Sequence, residues 1–273
     1  MQASTAWTPP SGTLGRIVDE ARTRARALEQ RAVDLTRQAC SVDPAPAFAS
    51  ALRVANVAII AEVKRRSPSK GWIQPGMDAS VQARAYETAG ASAISVLTEP
   101  DHFAGSTDDL IQARRNVEVP LLKKDFHVAP IQLLEAKALG ASAALLIVRA
   151  LGPLALPEMI TFARELELEV VVEVRDIKEM DLALDCGARV IGINNRNLET
   201  LHIDPATSER LIGRVPADVI AIAESGVSSR RDIERVARVG ADAVLVGSSL
   251  SAAADPAEAV RSLTGVPRVP RGH

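Results

Sequence analysis

Gly90-Ala91-Ser92-Ala93, Gly140-Ala141-Ser142-Ala143, Gly187-Ala188-Arg189-Val190 and Gly240-Ala241-Asp242-Ala243 repeat one short pattern at spacings of 50, 47 and 53 residues. In each copy a glycine stands before an apolar run. Glycine takes up the left-handed conformation that ends a helix at little cost, so each copy reads as the close of a helix followed by a strand. A spacing near 50 residues fits two βα units, and the four copies therefore mark every second strand of a larger alternating array.

Working outward, the apolar runs 57–63, 93–97, 120–124, 143–148, 170–174, 190–194, 219–223 and 243–246 read as eight strands. Helical patterns lie between them, among them 81–89, 131–139, 156–166 and 229–239, the last opened by the capping-box pattern Ser229-Arg230-Arg231-Asp232. Strictly alternating strands and helices require a parallel sheet. A doubly wound open sheet alternates in the same way. However, no glycine-rich dinucleotide fingerprint follows the first strand, and eight regular units favour closure. The expected fold is thus α/β, a single (β/α)8 TIM barrel over about 55–264. A helical extension to about residue 54 precedes it, and a Pro- and Arg-rich tail, 265–273, is expected to be disordered. The extension holds a charged helical stretch at 14–39 and a short helix at 48–54, and pattern alone leaves open whether it covers the barrel's bottom or its active face.

A chain of 273 residues suits one barrel, which typically takes about 250. Hydrophobic residues make up 47%, enough to fill a core without an obligatory partner, and a net charge of −2 leaves no basic excess to neutralise nucleic-acid phosphates. No apolar run approaches the roughly 20 residues that span a membrane, and residues 1–10 lack a secretion pattern, so the cytoplasm is the expected compartment. Cys40 and Cys186 form no metal-spaced cluster and are expected to be buried small hydrophobes.

Polar residues at the C-terminal ends of barrel strands build active sites. The first strand ends Glu62-Val63-Lys64, and period-two alternation puts Glu62 and Lys64 on one face, either toward the barrel mouth or outward as a salt bridge. The third ends Lys123-Lys124, of which alternation lets one point inward; replacement of the other is expected to be mild. The fifth carries Glu173 among valines, a setting that suits a general acid because burial disfavours the charged form. The sixth ends Asn194-Asn195-Arg196 and the seventh Glu224-Ser225-Gly226. Ser225-Gly226 and Gly247-Ser248 place small residues in the loops after strands seven and eight, where barrels commonly hold a phosphate.

The run Glu62-Val63-Lys64-Arg65-Arg66-Ser67-Pro68-Ser69-Lys70-Gly71 resembles the first-strand motif of indole-3-glycerol-phosphate synthases. Leu97-Thr98-Glu99, Lys124-Asp125-Phe126, Gly192-Ile193-Asn194-Asn195-Arg196, Glu224-Ser225-Gly226 and Gly247-Ser248 are similar to further blocks of that family, in the same order, over about 14–263. The resemblance implies ring closure, decarboxylation and dehydration of 1-(2-carboxyphenylamino)-1-deoxyribulose 5-phosphate to indole-3-glycerol phosphate in tryptophan biosynthesis, without cofactor or metal. It implies catalytic roles for Lys124, Glu173, Lys64, Glu62, Asn194 and Ser225, and substrate contacts for Glu224, Arg196, Phe103, Phe126 and Leu245. Ser67, Gly226, Gly247 and Ser248 would hold the phosphate. It also implies an N-terminal extension near the active-site mouth and a phosphorylated small molecule as partner. A monomer is the expected state, with other tryptophan-pathway enzymes as candidate associates. Departures from the family pattern are Lys123 and His127 beside the third-strand motif, Arg149, and Pro153 and Pro157, which interrupt the helix after the fourth strand. The rival readings are another sugar-phosphate isomerase or Schiff-base lyase, for which borohydride trapping discriminates, and a non-catalytic phosphate-binding barrel.

Overall fold

A computed structural model describes residues 7–271; the first six residues and the last two, which belong to the expected extension and tail, lie outside the described residues. Eight parallel strands run β1 (Ala58–Val63), β2 (Ala93–Leu97), β3 (Leu121–Lys124), β4 (Ala143–Ile147), β5 (Glu169–Val174), β6 (Val190–Asn194), β7 (Ile220–Glu224) and β8 (Ala243–Val246). β1 pairs with β2 through Ile60↔Ala93 and with β8 through Ala58↔Ala243, which closes the barrel.

Alternation along each strand divides the core in two. Ala58, Ile60, Leu122, Leu145, Val171, Ile222 and Leu245 face inward and pack together on the axis. Ile59, Ala61, Val63, Val172, Ile193 and Val244 face outward against the surrounding helices. The capping box expected at Ser229 is present, with Ser229 and Asp232 each satisfying the other's backbone N–H. The helical span Val148–Glu165 is kinked at Gly152 (φ 68°, ψ −174°), and Pro153 opens the segment beyond the kink, where a missing N–H costs nothing.

The extension occupies both ends of the barrel. Helix α1 (Gly12–Leu28) buries the stripe Leu14, Ile17, Val18, Ala21 and Ala25, and Leu14 and Ile17 reach the C-terminal mouth. Helix α2 (Ala32–Ser41) continues along the outside, where Leu35 packs with Ile131 and Leu134. Helix α3 (Phe48–Ala51) then plugs the bottom: the backbone N–H groups of Phe48 and Ala49 donate to the carboxylate of Glu169, at the start of β5, at 2.7 and 2.9 Å.

Two expectations are corrected. The tail is ordered through Arg271: Asn56 bridges to Pro267, Val266 is buried, and the guanidinium of Arg271 lies 2.8 Å from the carboxylate of Asp242 while donating to the carbonyls of Val219 and Pro216. The arginines that suggested solvation instead satisfy strand-end carbonyls and a buried acid. Cys40 is exposed and Cys186 only half-buried. Cys40 sits in the last turn of α2, whose single buried residue is Leu35, and Cys186 caps the helix Ile177–Asp185.

Candidate active site

At the C-terminal mouth lies a cavity of about 300 Å³, and all fifteen residues expected at the site line it. Glu62 and Lys64 both point inward, with Lys64 Nζ donating to Glu62 Oε1 at 2.6 Å, so the outward salt-bridge alternative fails. Ser95 donates to the other Glu62 oxygen at 3.3 Å. From β3, Lys124 faces inward: its Nζ lies 2.5 Å from Glu224 Oε2 and 3.4 Å from Glu173 Oε2. Asn194 Nδ2 donates to Glu173 Oε1 at 2.9 Å, while its own carbonyl accepts from the Arg196 backbone N–H at 2.9 Å.

Three buried carboxylates, Glu62, Glu173 and Glu224, thus converge on two lysines. Burial alone would push the Lys124 ammonium down, but Glu224, Glu173 and Glu62 hold it above its ordinary range. Burial lifts Glu224 to about 7; the Lys124 charge opposes this and Glu173 adds to it. The cluster therefore keeps a charged lysine beside a carboxyl that takes up a proton near neutrality. Arg196, half-buried, has no carboxylate within ion-pair distance among the described residues, which leaves its charge available to an anionic ligand.

Glycines make room for this cluster. A Cβ on Gly192 would stand 2.2 Å from Glu224 Oε1, and one on Gly247 would meet Glu62 Oε1 at 2.3 Å and Lys64 Nζ at 2.7 Å. Ser225 (φ 63°) and Gly226 (φ 77°) take consecutive left-handed conformations after β7. Such a turn gathers backbone N–H groups into an anion-binding concavity. Ser248 opens the helical turn Ser248–Ser251 across the cavity, where the first N–H groups have no partner inside the helix. Ser67, buried, completes this side of the cavity.

The apolar wall is Phe103 and Phe126, with ring centroids 6.2 Å apart, together with Leu97 and Leu245. Phe103 is fixed by Glu99, whose fully buried carboxylate accepts from the N–H groups of Asp101, His102 and Phe103. Residue-by-residue reading missed the lining contributed by Leu14 and Ile17 and by Leu198, Leu201 and Ile203 in the loop after β6. The sequence marks 14–39 as a charged helical stretch, and neither its apolar face nor where that face docks is picked out from it.

Lys123 points outward and is almost wholly buried, with Nζ 3.1 Å from Asp125 and 3.2 Å from Glu135. His127 is buried beside it. Burial, then the Lys123 charge, pushes the His127 imidazole down to about 3, so it is neutral. One of its nitrogens, Nδ1, lies 2.8 Å from the Leu145 carbonyl.

Fold and site together define a (β/α)8-barrel enzyme whose acid-base groups converge at the C-terminal face. Across residues 14–263 the sequence matches the model of the indole-3-glycerol phosphate synthase family. The chain belongs to that family and is a carboxy-lyase of tryptophan biosynthesis. It is 46% identical to indole-3-glycerol phosphate synthase 2 of Streptomyces coelicolor, over 93% of this chain and 100% of the relative. It is also 51% identical to the indole-3-glycerol phosphate synthase of Kineococcus radiotolerans, over 76% of each. Among solved structures, thiamine phosphate pyrophosphorylase from Pyrococcus furiosus superposes with a TM-score of 0.58 at 16% identity, over 77% of this chain and 94% of that one, and shows a shared fold alone.

Proposed function

We propose that the cavity closes the indole ring of 1-(2-carboxyphenylamino)-1-deoxyribulose 5-phosphate, with Lys124 as the general acid. The observation that carries this is the placing of a charged Lys124 ammonium between Glu173 and Glu224 at the centre of the cavity. Closure joins the aromatic carbon that bears the carboxylate to the sugar carbonyl carbon, and the carbonyl oxygen must be protonated as its bond opens. An ammonium supplies that proton; a Schiff-base route would instead need a neutral amine, which the carboxylates around Lys124 disfavour. Carbon dioxide then leaves, and its bonding pair restores the aromatic ring. Finally, hydroxide departs with a proton while a second proton leaves the neighbouring carbon. Glu173, held by Asn194, is the group placed to exchange protons in that dehydration. Lys64, oriented by Glu62, serves the substrate carboxylate or the departing oxygen, and Arg196 adds a second cation for the carboxylate.

The phosphate fits the Ser225-Gly226 turn, Gly247, Ser248 and Ser67, and the anthranilate ring fits between Phe103, Phe126 and Leu245. Ser225 and Glu224 orient the sugar hydroxyls and the amine. The same reading makes the protein a cytoplasmic monomer. The test is to add the anthranilate-sugar phosphate and follow indole fluorescence: a rise that depends on enzyme concentration is expected. Its absence from folded protein overturns the assignment.

A further inference from the structure

Glu173 lines two cavities. The second, of about 160 Å³, lies between the loops after β4, β5 and β6 and carries Arg149, Arg175, Asp176, Glu179 and Glu199 in its wall. Asp176 is exposed at its rim, whereas Glu173 is 96% buried where it meets the main cavity. Glu179 stands in the first turn of the helix Ile177–Asp185, fixed by a 2.8 Å hydrogen bond from the Arg175 backbone N–H. Of its wall, Glu173, Asn194 and Arg196 have a part in the reaction derived above, whereas Arg149, Arg175, Asp176, Glu179 and Glu199 have none.

The chemistry of that reaction gives such a chamber work to do. The substrate enters with its carboxylate charged, and the carboxylate leaves as neutral carbon dioxide. Closure takes up one proton, dehydration takes up one and releases one, and each turnover therefore draws one proton from solvent. With substrate in the main cavity and Leu14 and Ile17 of α1 at its mouth, that proton needs a way in. We propose that Glu179 relays solvent protons to Glu173 through the side chamber. This rests on the role of Glu173 given above. In the relay, the protonated Glu179 carboxyl passes its proton to the Glu173 carboxylate along a hydrogen-bonded water, and Glu173 hands it on to the Lys124 amine left by closure, 3.4 Å away, which restores the ammonium. Glu179 then regains one from solvent at the Asp176 rim, so that atoms and charge balance over the cycle.

The surroundings suit the task. Burial, then the neighbouring Asp176 charge, lifts Glu179 to about 7; Glu173 adds to this, while the Arg175 N–H and the Arg149 charge act against it. Arg149 is itself engaged by Glu199 at 3.0 Å, which limits how far it can depress Glu179. Arg196 lines the same wall, and α1 contributes the uncharged Leu14 there.

Glu179→Gln keeps the acceptor for the Arg175 N–H but carries no exchangeable acid proton. The expected result is a fall in kcat of about tenfold with KM within about twofold, and loss of the decline in kcat as pH rises through about 7. Glu179→Asp should restore most of the turnover together with that decline. Indicator-dye proton uptake in a single turnover should slow in parallel in the Gln variant. A kcat and pH profile identical to wild type in Glu179→Gln, beside an inactive Glu173→Gln, overturns the relay alone. A fully active Glu173→Gln overturns the role of Glu173 and the relay with it. If circular dichroism shows Glu179→Gln unfolded, the Asp variant decides: a displaced pH decline supports the relay, and an unmoved one rejects it.

Discussion

Lys123 and Lys124 are chain neighbours with opposite surroundings, and the difference sets two predictions. Lys124→Ala should lower kcat by about 10²- to 10⁴-fold in a protein that still folds, as measured by initial rates alongside circular dichroism; rates equal to wild type would remove Lys124 from the chemistry. Lys123→Ala, which alternation alone expects to be mild, should instead destabilise the fold by about 3–5 kcal/mol in denaturant titration, because it takes the buried ammonium from Glu135 and leaves the buried Asp125 with only Arg24, at 3.7 Å, as a cationic partner. Alternation showed that a single lysine could turn inward. It could not show the charge waiting for the other, since Glu135 lies on the following helix and meets Lys123 only through packing. His127 adds a pH dependence to the same network. Its folded value of about 3 lies below the ordinary 6.5, so its contribution to stability is complete above 6.5 and declines as pH falls toward 3. Replacing His127 with Gln should flatten that part of the stability-against-pH curve, and an unchanged slope would assign the acid sensitivity elsewhere.

Among the elements, α1 carries the part of the site that local pattern could not locate. Its buried stripe at Leu14, Ile17, Val18 and Ala21 follows helical spacing, but the sequence reads over 14–39 only as a charged helical stretch and does not pick out this packing face. Its docking over the mouth depends on contacts far along the chain, including Arg24 against Glu99 at 3.4 Å and Glu20 against His102 at 2.6 Å. These tie α1 to the same loop that presents Phe103. Shortening Ile17 to Ala should therefore raise KM several-fold by opening the apolar lid, at a stability cost of about 2–5 kcal/mol. If KM stays at its wild-type value in the folded variant, α1 is a structural cap and no part of the substrate site. The loop after β8 answers differently: the phosphate reading of Gly247 came from its position at the end of β8. The structure adds that its missing side chain accommodates the Glu62–Lys64 pair. Gly247→Val should lower kcat as well as raise KM, which steady-state rates will separate from a purely phosphate-binding effect.

At the scale of the whole molecule, the two ends of the barrel divide the labour: chemistry at the C-terminal mouth, closure at the bottom. The eight strands and their order were legible because each βα unit announces itself locally. The bottom was not, because its parts come from opposite ends of the chain. There the Val57 N–H donates to the Val266 carbonyl at 2.8 Å, and the Arg268 N–H donates to the Ala55 carbonyl at 3.2 Å. Asp242 at the start of β8 accepts the guanidinium groups of both Arg268 and Arg271, at 2.9 and 2.8 Å. The tail thus straps the junction where β1 meets β8, the seam at which the barrel closes. Ending the chain at Thr264 should strip Asp242 of both cations and leave a buried carboxylate without an ion-pair partner, a loss of about 3–5 kcal/mol. For a protein of this size that corresponds to a fall in Tm of very roughly 6–20 °C in scanning calorimetry. Because the strap lies at the opposite end from Lys124 and Glu173, kcat and KM below the new Tm should match the full chain. An unchanged Tm would mean that the tail contributes nothing to closure, as its composition alone suggests, whereas a lowered kcat in the folded, shortened protein would show that the two ends are coupled through the barrel.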